Sequence, residues 1–568
     1  MKWIKKHLTG INIVKYLIIG FFLLFLILPL ISVFLVSFTD EPINLFGSLI
    51  SMDTLQTTID QFKNSTLDNF KAILSNSTYY DALGNSLYLS LLVSIIVLIV
   101  CIPIAYGIAR TKMPFKKTIS ALCTLPLIVP TFISAYAFII MFGRSGWVTY
   151  IYQSLGGEGF LIDPYSFTGI VLVQVFFFFP YALWPMVAAF KVSDVSLEEA
   201  SRNMGAKSWL TFSTVTFPLV VPGMLSTALV IFAVSFSDFG TPIILAPTDL
   251  NLLVVEAYRE ISGFFNWGGA AILTVIMIAV AGFVFWLQNF FFKGKNYDSV
   301  SGKPKQIKLN ESKLLGRSLS AFAGFVVLIP LFAMLTVFMQ SIAKTWGKDP
   351  LPSGYTLQHY KDIFSSSLGN IQNSLILAAG ALVLSIVIAT FVSYFVVRQN
   401  SGTLDFMTTI PLIVPGIAFG IALIQTFNTA PLQLTGTATI LIIAYTIRRL
   451  PYMVRSTVGT MQSIKADIEE AAVNLGASTL TAAITVIGPL MLPGIAAGSI
   501  LVFITVIKET SISILMAPAD WAPMSLAIFQ NILRAEYYSA AAMSVILIVL
   551  VLVLQAIASR LTGGSDQT

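Results

Sequence analysis

The sequence predicts an all-α integral membrane protein of about twelve transmembrane helices, laid out as two parallel six-helix repeats. Three observations carry that expectation. Of 568 residues, 56% are hydrophobic and 11% charged, with a mean hydropathy of +0.85, which is more apolar surface than one soluble core needs. Apolar runs of bilayer-spanning length, about 20 residues, recur along the chain, as they must where lipid-exposed backbone has to satisfy its hydrogen bonds internally. The second half also rewrites the first, motif by motif.

The runs fall near residues 14–37, 85–108, 119–142, 167–190, 219–245 and 268–291, then near 318–340, 373–396, 405–427, 436–454, 490–515 and 537–558. The first begins with basic residues, as a signal peptide does, but it is about 23 residues long and "VSFTDEP" offers no small-x-small cleavage site, so it reads as a retained helix. Proline pairs in "LPLIVP", ending at Pro130, and "IPLIVP", ending at Pro415, should bend the third and ninth spans and free carbonyls that must find other partners. Such bends would suit a gate; helix packing accounts for them equally well. Cys101 and Cys123 lie within or beside apolar runs, which argues against a secreted disulfide framework.

Positive charge on short loops orients a helical bundle, marking the cytoplasmic side. Lys2, Lys5 and Lys6, then Arg110, Lys112, Lys116 and Lys117, then Lys293, Lys295, Lys303, Lys305, Lys308 and Lys313 all fall on one side of the predicted topology. The loop from Asp40 to Asp81 lies on the other, with Asp53, Asp60, Asp68 and Glu41 outnumbering Lys63 and Lys71. Both termini are therefore expected in the cytoplasm. The net charge of +6 follows from this topology and implies no nucleic-acid partner.

The duplication is extensive. "TLDNFKAIL" at Thr66 parallels "TLQHYKDIF" at Thr356, "NSLYLSLL" at Asn85 parallels "NSLILAAG" at Asn373, and "LPLIVP" parallels "IPLIVP". From Glu199 onward the offset settles at 271, pairing Pro218 with Pro489, Pro222 with Pro493 and Gly223 with Gly494. With six spans per copy both copies lie the same way up, as parallel repeats about an axis along the membrane normal. The expected domains are 1–292, with an extracytoplasmic loop at about 40–84 and a polar loop at about 193–222; a cytoplasmic linker, 293–316; and 317–568, with a matching polar loop at about 464–493.

Those polar loops carry nearly the same sentence: "LEEASRNMGAKSW" at Leu197 and "IEEAAVNLGASTL" at Ile468. Ser196-x-x-Glu199 and Asp467-x-x-Glu470 read as helix-opening caps, and Gly205 and Gly476 as helix stops. Leu197, Ala200 and Met204 share one helix face, as do Ile468, Ala471 and Leu475. A second helical stretch then runs into Pro218-x-x-x-Pro222-Gly223 or its counterpart. A helix, a glycine corner and a second helix present a small-residue ridge suited to a groove on a partner protein. An amphipathic loop lying flat on lipid headgroups is the bland alternative, and two copies in phase weigh against it.

"EEASRNMGA" and "EEAAVNLGA", each followed about a dozen residues later by "FPLVVPG" or "GPLMLPG", resemble the EAA loop of importer-type ABC transporter permeases. The resemblance covers both halves. It implies the binding-protein-dependent ABC permease fold, with Glu199, Ala200 and Gly205, and Glu470, Ala471, Ala472 and Gly476, as ATPase-coupling residues. Ser201 departs from the motif's second alanine. The implied partners are two copies of an ABC ATPase on the cytoplasmic side, a substrate-binding protein outside, and the lipid bilayer of a bacterial cell membrane. The fusion of two permease domains, "SFSDFGTPIILAP", and the "SVSGKP" tail after span six further resemble the ferric-iron permease subgroup and its relatives for 2-aminoethylphosphonate.

No G-x-x-x-x-G-K-[ST] phosphate loop occurs, so this chain is not expected to hydrolyse ATP; it binds no cofactor of its own, and ATP and Mg belong to the partner. No metal-ligand cluster or catalytic triad stands out, and with His7 and His359 as the two histidines an enzyme is not expected. Asp238 and Glu509 hold equivalent positions, 271 apart, inside apolar runs. Carboxylates in a bilayer normally face a cavity or a partner, so both are candidates to line the substrate path and would suit a hard cation such as ferric iron, although Lys508 would favour an anion. Capping of a broken helix is the structural alternative. An ion-gradient-driven transporter and a non-transporting membrane scaffold are the other classes compatible with twelve spans.

Overall fold

The computed structural model describes residues 10–39, 42–48, 50–63, 68–192, 195–292, 311–347 and 349–561. Most of the linker, the N-terminal lysines, Asp40 and Glu41 lie outside them. Nine helices among the described residues are long and apolar enough to cross a membrane: Gly10–Val36, Ser77–Arg110, Thr131–Ser154, Phe167–Lys191, Ser208–Phe236, Trp267–Phe290, Lys313–Ile342, Leu368–Arg398 and Tyr537–Ile557. Two bent pairs bring the number to eleven: Gly402–Ile413 with Gly416–Phe427, and Thr479–Leu490 with Leu492–Ile507. The tenth expected run is helix Ala438–Ser463, which carries Arg448, Arg449 and Arg455.

The structure refines several of the expected runs. The ninth is broken as its prolines require: its two helices meet at 109°, with Val414 and Pro415 extended between them. The third is also interrupted: helix Lys116–Thr124 and a 3₁₀ turn over Leu125–Ile128 precede an extended Val129 and Pro130, after which the helix resumes at Thr131. The fifth and eleventh runs begin earlier than expected and stop at Phe236 and Ile507; short helices Gly240–Leu245 and Ser511–Met516 follow the breaks. Asp238 and Glu509 therefore sit at interruptions, not within continuous spans. His359 lies on helix Gln358–Ser366 and stacks on Tyr538 at 5.2 Å.

Contacts divide the chain into two compact units that do not follow the sequence repeats. One contains the residues up to Ser77, Glu256–Ile278 and those from Leu357 on; the other contains Thr78–Val255 and Ala279–Thr356. Each unit joins the opening span of one repeat to later spans of the other. In the first unit, Lys15 Nζ donates to Gln399 Oε1 (3.0 Å), Asn44 Nδ2 to the Ala430 carbonyl (2.6 Å), and Phe25 packs on Phe427 at 5.4 Å. In the second, Trp147 Nε1 donates to Thr336 Oγ1 (3.2 Å) and Ser320 Oγ to the Pro114 carbonyl (3.0 Å).

The repeated Asn-Ser pair has a structural task. A helix leaves its first N–H groups without intrahelical acceptors. Ser86 Oγ accepts the Leu253 N–H (2.8 Å) while Asn85 donates to the Asn251 carbonyl (3.1 Å), holding the start of helix Leu253–Ser262. Ser374 Oγ accepts the Met524 N–H (2.7 Å) and Asn373 donates to the Asp520 carbonyl (2.9 Å), doing the same for Met524–Leu533. The sequence motif is thus a clamp on the element after the broken fifth or eleventh span. Replacing Ser374 by Ala leaves a buried N–H without its acceptor and should cost about 1–3 kcal/mol, read as a lower melting temperature in detergent.

Candidate functional site

The two polar loops fold alike. Helix Val195–Asn203 ends at Gly205, whose φ is +88°, and helix Ala466–Asn474 ends at Gly476, with φ +98°. The hydrogen bonds repeat as well: Gly205 N–H to the Arg202 carbonyl (2.9 Å) and Ala206 N–H to Ser201 (3.1 Å), then Gly476 to Val473 (2.9 Å) and Ala477 to Ala472 (3.1 Å). This is the two-bond, left-handed glycine stop that ends many helices. Lys207 and Ser478 then run extended before the next helix opens at Ser208 or Thr479.

The helix starts differ from the expected caps. Ser196 lies inside the first helix, and the second is preceded by Lys465 with no side-chain cap, so Asp467 is already helical. Glutamates in the first turn still favour each start, because negative charge there complements the helix dipole.

Glu199, Ala200 and Gly205, and Glu470, Ala471 and Gly476, are all exposed. Beside them Met204 is 83% and Leu475 90% exposed. Burying one such apolar side chain against a partner is worth about 1.5–3 kcal/mol, so each glycine corner offers an anchor. Ser201 is buried on the inner side, with Oγ 3.2 Å from Thr211 Oγ1; its departure from alanine leaves the outer ridge unchanged.

The two candidate path carboxylates are buried and each serves a helix break. Asp238 Oδ2 accepts from Gln174 Nε2 (3.0 Å), and Gln174 Oε1 in turn accepts from Ser235 Oγ (2.7 Å). Glu509 Oε1 accepts the Ile512 N–H (3.4 Å) at the opening of Ser511–Met516, and its Oε2 accepts from Arg448 Nε (3.2 Å) and from Arg449. Arg448 also donates from Nη1 to the Val414 carbonyl (3.3 Å), one of the groups freed where the ninth span bends. Gly416 makes room for it: a Cβ there would lie 2.7 Å from Arg448 Nη2.

Residues 100–296 and 381–563, more than half the chain in two stretches, match the family described as the binding-protein-dependent transport system inner membrane component. The chain belongs to this family. It carries the domain twice, making it a fused two-domain ABC permease and a multi-pass inner-membrane protein. It is 27% identical over 492 residues to the ferric transport system permease protein FbpB of Actinobacillus pleuropneumoniae, covering 84% of this chain and 71% of that protein. It is 27% identical over 460 residues to a putative ferric transport system permease protein FbpB of Haemophilus influenzae, covering 79% and 72%. The molybdenum transport system permease protein ModB of Azotobacter vinelandii is 32% identical over 183 residues, 32% of this chain and 80% of that protein.

Two sets of permease residues escaped the sequence reading. Arg448 and Arg449 stand, at the offset of 271, where the first repeat has Phe177 and Phe178; the signal was a pair of arginines inside an apolar run. Glu198 and Glu469, each just before the exposed motif glutamate, are turned inward. Glu198 is 3.4 Å from Arg110, and Glu469 is 3.3 Å from Arg398. Both cysteines are free and buried, Cys101 donating to the Phe179 carbonyl at 3.3 Å. Among the described residues no group of three or more His, Cys, Asp or Glu is placed to hold a metal ion.

Gly416→Ala forces its methyl group against Arg448 and should destabilise the permease by about 1–3 kcal/mol, measured by thermal unfolding in detergent. Gly402→Ala, with nothing within 4 Å of the added Cβ, should leave the transition in place.

Proposed function

We propose that this permease is the membrane subunit of an ATP-driven importer that moves ferric iron inward from an extracytoplasmic binding protein. Two copies of a separate ABC ATPase engage the exposed loops at Glu199, Ala200 and Gly205 and at Glu470, Ala471 and Gly476, which lie on the cytoplasmic side with both termini. The chain supplies no nucleotide site; ATP and Mg act in the partner. The paired glycine-cornered helices carry this reading: both copies expose the same ridge and the same apolar anchor beside the corner. An ion-gradient-driven transporter has no need of such a pair.

Closing of the ATPases draws the two loops together, and each loop passes directly into the fifth or eleventh span, so the displacement is delivered to the bundle as alternating access. Asp238 and Glu509 are proposed to face the path that opens and closes.

The ferric assignment is supported by the names of relatives that cover most of the chain. One observation favours a second reading, an anionic cargo such as 2-aminoethylphosphonate: Arg448, Arg449 and Lys508 outnumber Glu509 around the eleventh span's break. Reconstitution with the ATPase and the binding protein decides between them by which solute stimulates hydrolysis, and ATP dependence in sealed vesicles separates both from a gradient-driven carrier.

Gly205→Glu and Gly476→Glu should each reduce ATP-driven uptake by about tenfold or more, since each puts charge and a strained left-handed side chain into the docking corner; full transport in both would remove the loops from the mechanism. Asp238→Asn combined with Glu509→Gln should slow uptake while basal ATP hydrolysis persists, and unchanged uptake in that double variant would take the carboxylates off the path.

A further inference from the structure

We infer that Glu198 with Arg110, and Glu469 with Arg398, are positioning residues that bind each loop helix to the second span of its own repeat and carry the motor's displacement into the bundle. This rests on the reading of the loops as the ATPase docking elements.

The pairing occurs twice. Arg110 and Arg398 are each the last residue of a long helix, Ser77–Arg110 and Leu368–Arg398, where a cation is favoured by the helix dipole. They stand 288 residues apart, whereas Glu198 and Glu469 stand 271 apart. The two copies thus differ in the length of chain between the partners and still close the same contact. Neither pair is a solvated surface bridge. The side chains are 4% and 11% exposed in the first and 16% and 12% in the second.

Another side chain also holds each carboxylate. Thr216 Oγ1 donates to Glu198 Oε1 at 2.9 Å from the start of the fifth span. Tyr394 Oη donates to Glu469 Oε1 at 2.6 Å, and Arg398 Nη2 donates to the Ile464 carbonyl at 2.8 Å, just past helix Ala438–Ser463. Glu198 therefore joins the loop helix to two flanking segments, and Glu469 joins it to helix Leu368–Arg398, whose Arg398 in turn holds the chain at Ile464.

Little else holds these helices. Ala466–Asn474 has no fully buried residue, and in Val195–Asn203 the buried side chains among those described are the polar Glu198 and Ser201. With no fully buried apolar side chain described in it, a helix pushed from outside slides unless a directional contact holds it. A bidirectional, partly dehydrated ion pair resists both pull and push, which a greasy contact does not. Along each helix one glutamate faces the partner and its neighbour faces the bundle.

The test uses the complete complex of permease, ATPase and binding protein in proteoliposomes, with ferric iron as the probe. In Arg398→Gln and Glu469→Gln the ATPase should still co-purify and hydrolyse ATP, while iron taken up per ATP falls about tenfold, the size expected when a coupling contact is cut. The exchanged pair Arg398→Glu with Glu469→Arg should recover most of that loss. Tyr394→Phe, a milder change that preserves folding, should lower the same ratio about twofold. An unchanged ratio in all of these overturns the inference, as does loss of the ATPase in step with uptake and no recovery in the exchanged pair, which marks a purely structural contact. ATP-driven uptake by the unaltered complex is the separate control: its failure overturns the importer reading and this inference with it, whereas its success alongside unchanged variants overturns the inference alone.

Discussion

The structure is governed by the need to pair every backbone polar group in a medium that offers no water. Continuous helix meets that need without help, and most of the apolar length of this chain is continuous helix. Where the helix stops inside the ninth and eleventh spans, a side chain comes in. Arg448 reaches the carbonyl exposed at Val414, and Glu509 takes the N–H of Ile512 where the eleventh span restarts. The polar residues of the interior therefore mark places where the backbone is broken, and the breaks put them there as much as any cargo does.

The two repeats keep positions and change chemistry. Asp238 is surrounded by neutral partners, Gln174 directly and Ser235 through it; its counterpart Glu509 accepts from two guanidinium groups. Phe177 and Phe178 of the first repeat become Arg448 and Arg449 in the second. One break is locally negative and the other has more cations than anions. A duplicated gene begins with identical surroundings for both carboxylates, so this divergence assigns the halves different electrostatic work within one frame.

The sequence disclosed much of this, and the parts it hid have physical reasons. Span positions came from hydropathy because the bilayer imposes it residue by residue, and the glycine stops came from spacing because few other residues tolerate a φ near +90°. The exact helix starts were missed: Ser196 and Asp467 look like caps, yet the helices open earlier, a choice made by the surrounding chain and not by the tetrapeptide. The exchange of opening spans between compact units was also invisible, since apolar faces carry no address in their composition. The inward glutamates were overlooked because two adjacent acids read alike in a row of letters, and the turn of about 100° between them separates covered from exposed only when the helix is built.

A π-helical turn follows each glycine corner, over Phe212–Thr216 in the first repeat and Ala483–Ile487 in the second, immediately ahead of Phe217-Pro218 and Gly488-Pro489. Such a turn accommodates one more residue than an α-helical turn does. The widened turn absorbs that residue locally, so the helix before it and the helix after it stay nearly in line while the sequence register between them advances by one. Between each ridge and its span lies one turn with a residue to spare, lodged against a proline. Loss of one codon there would let the turn close to an ordinary α-helical one, with ridge and span still in line.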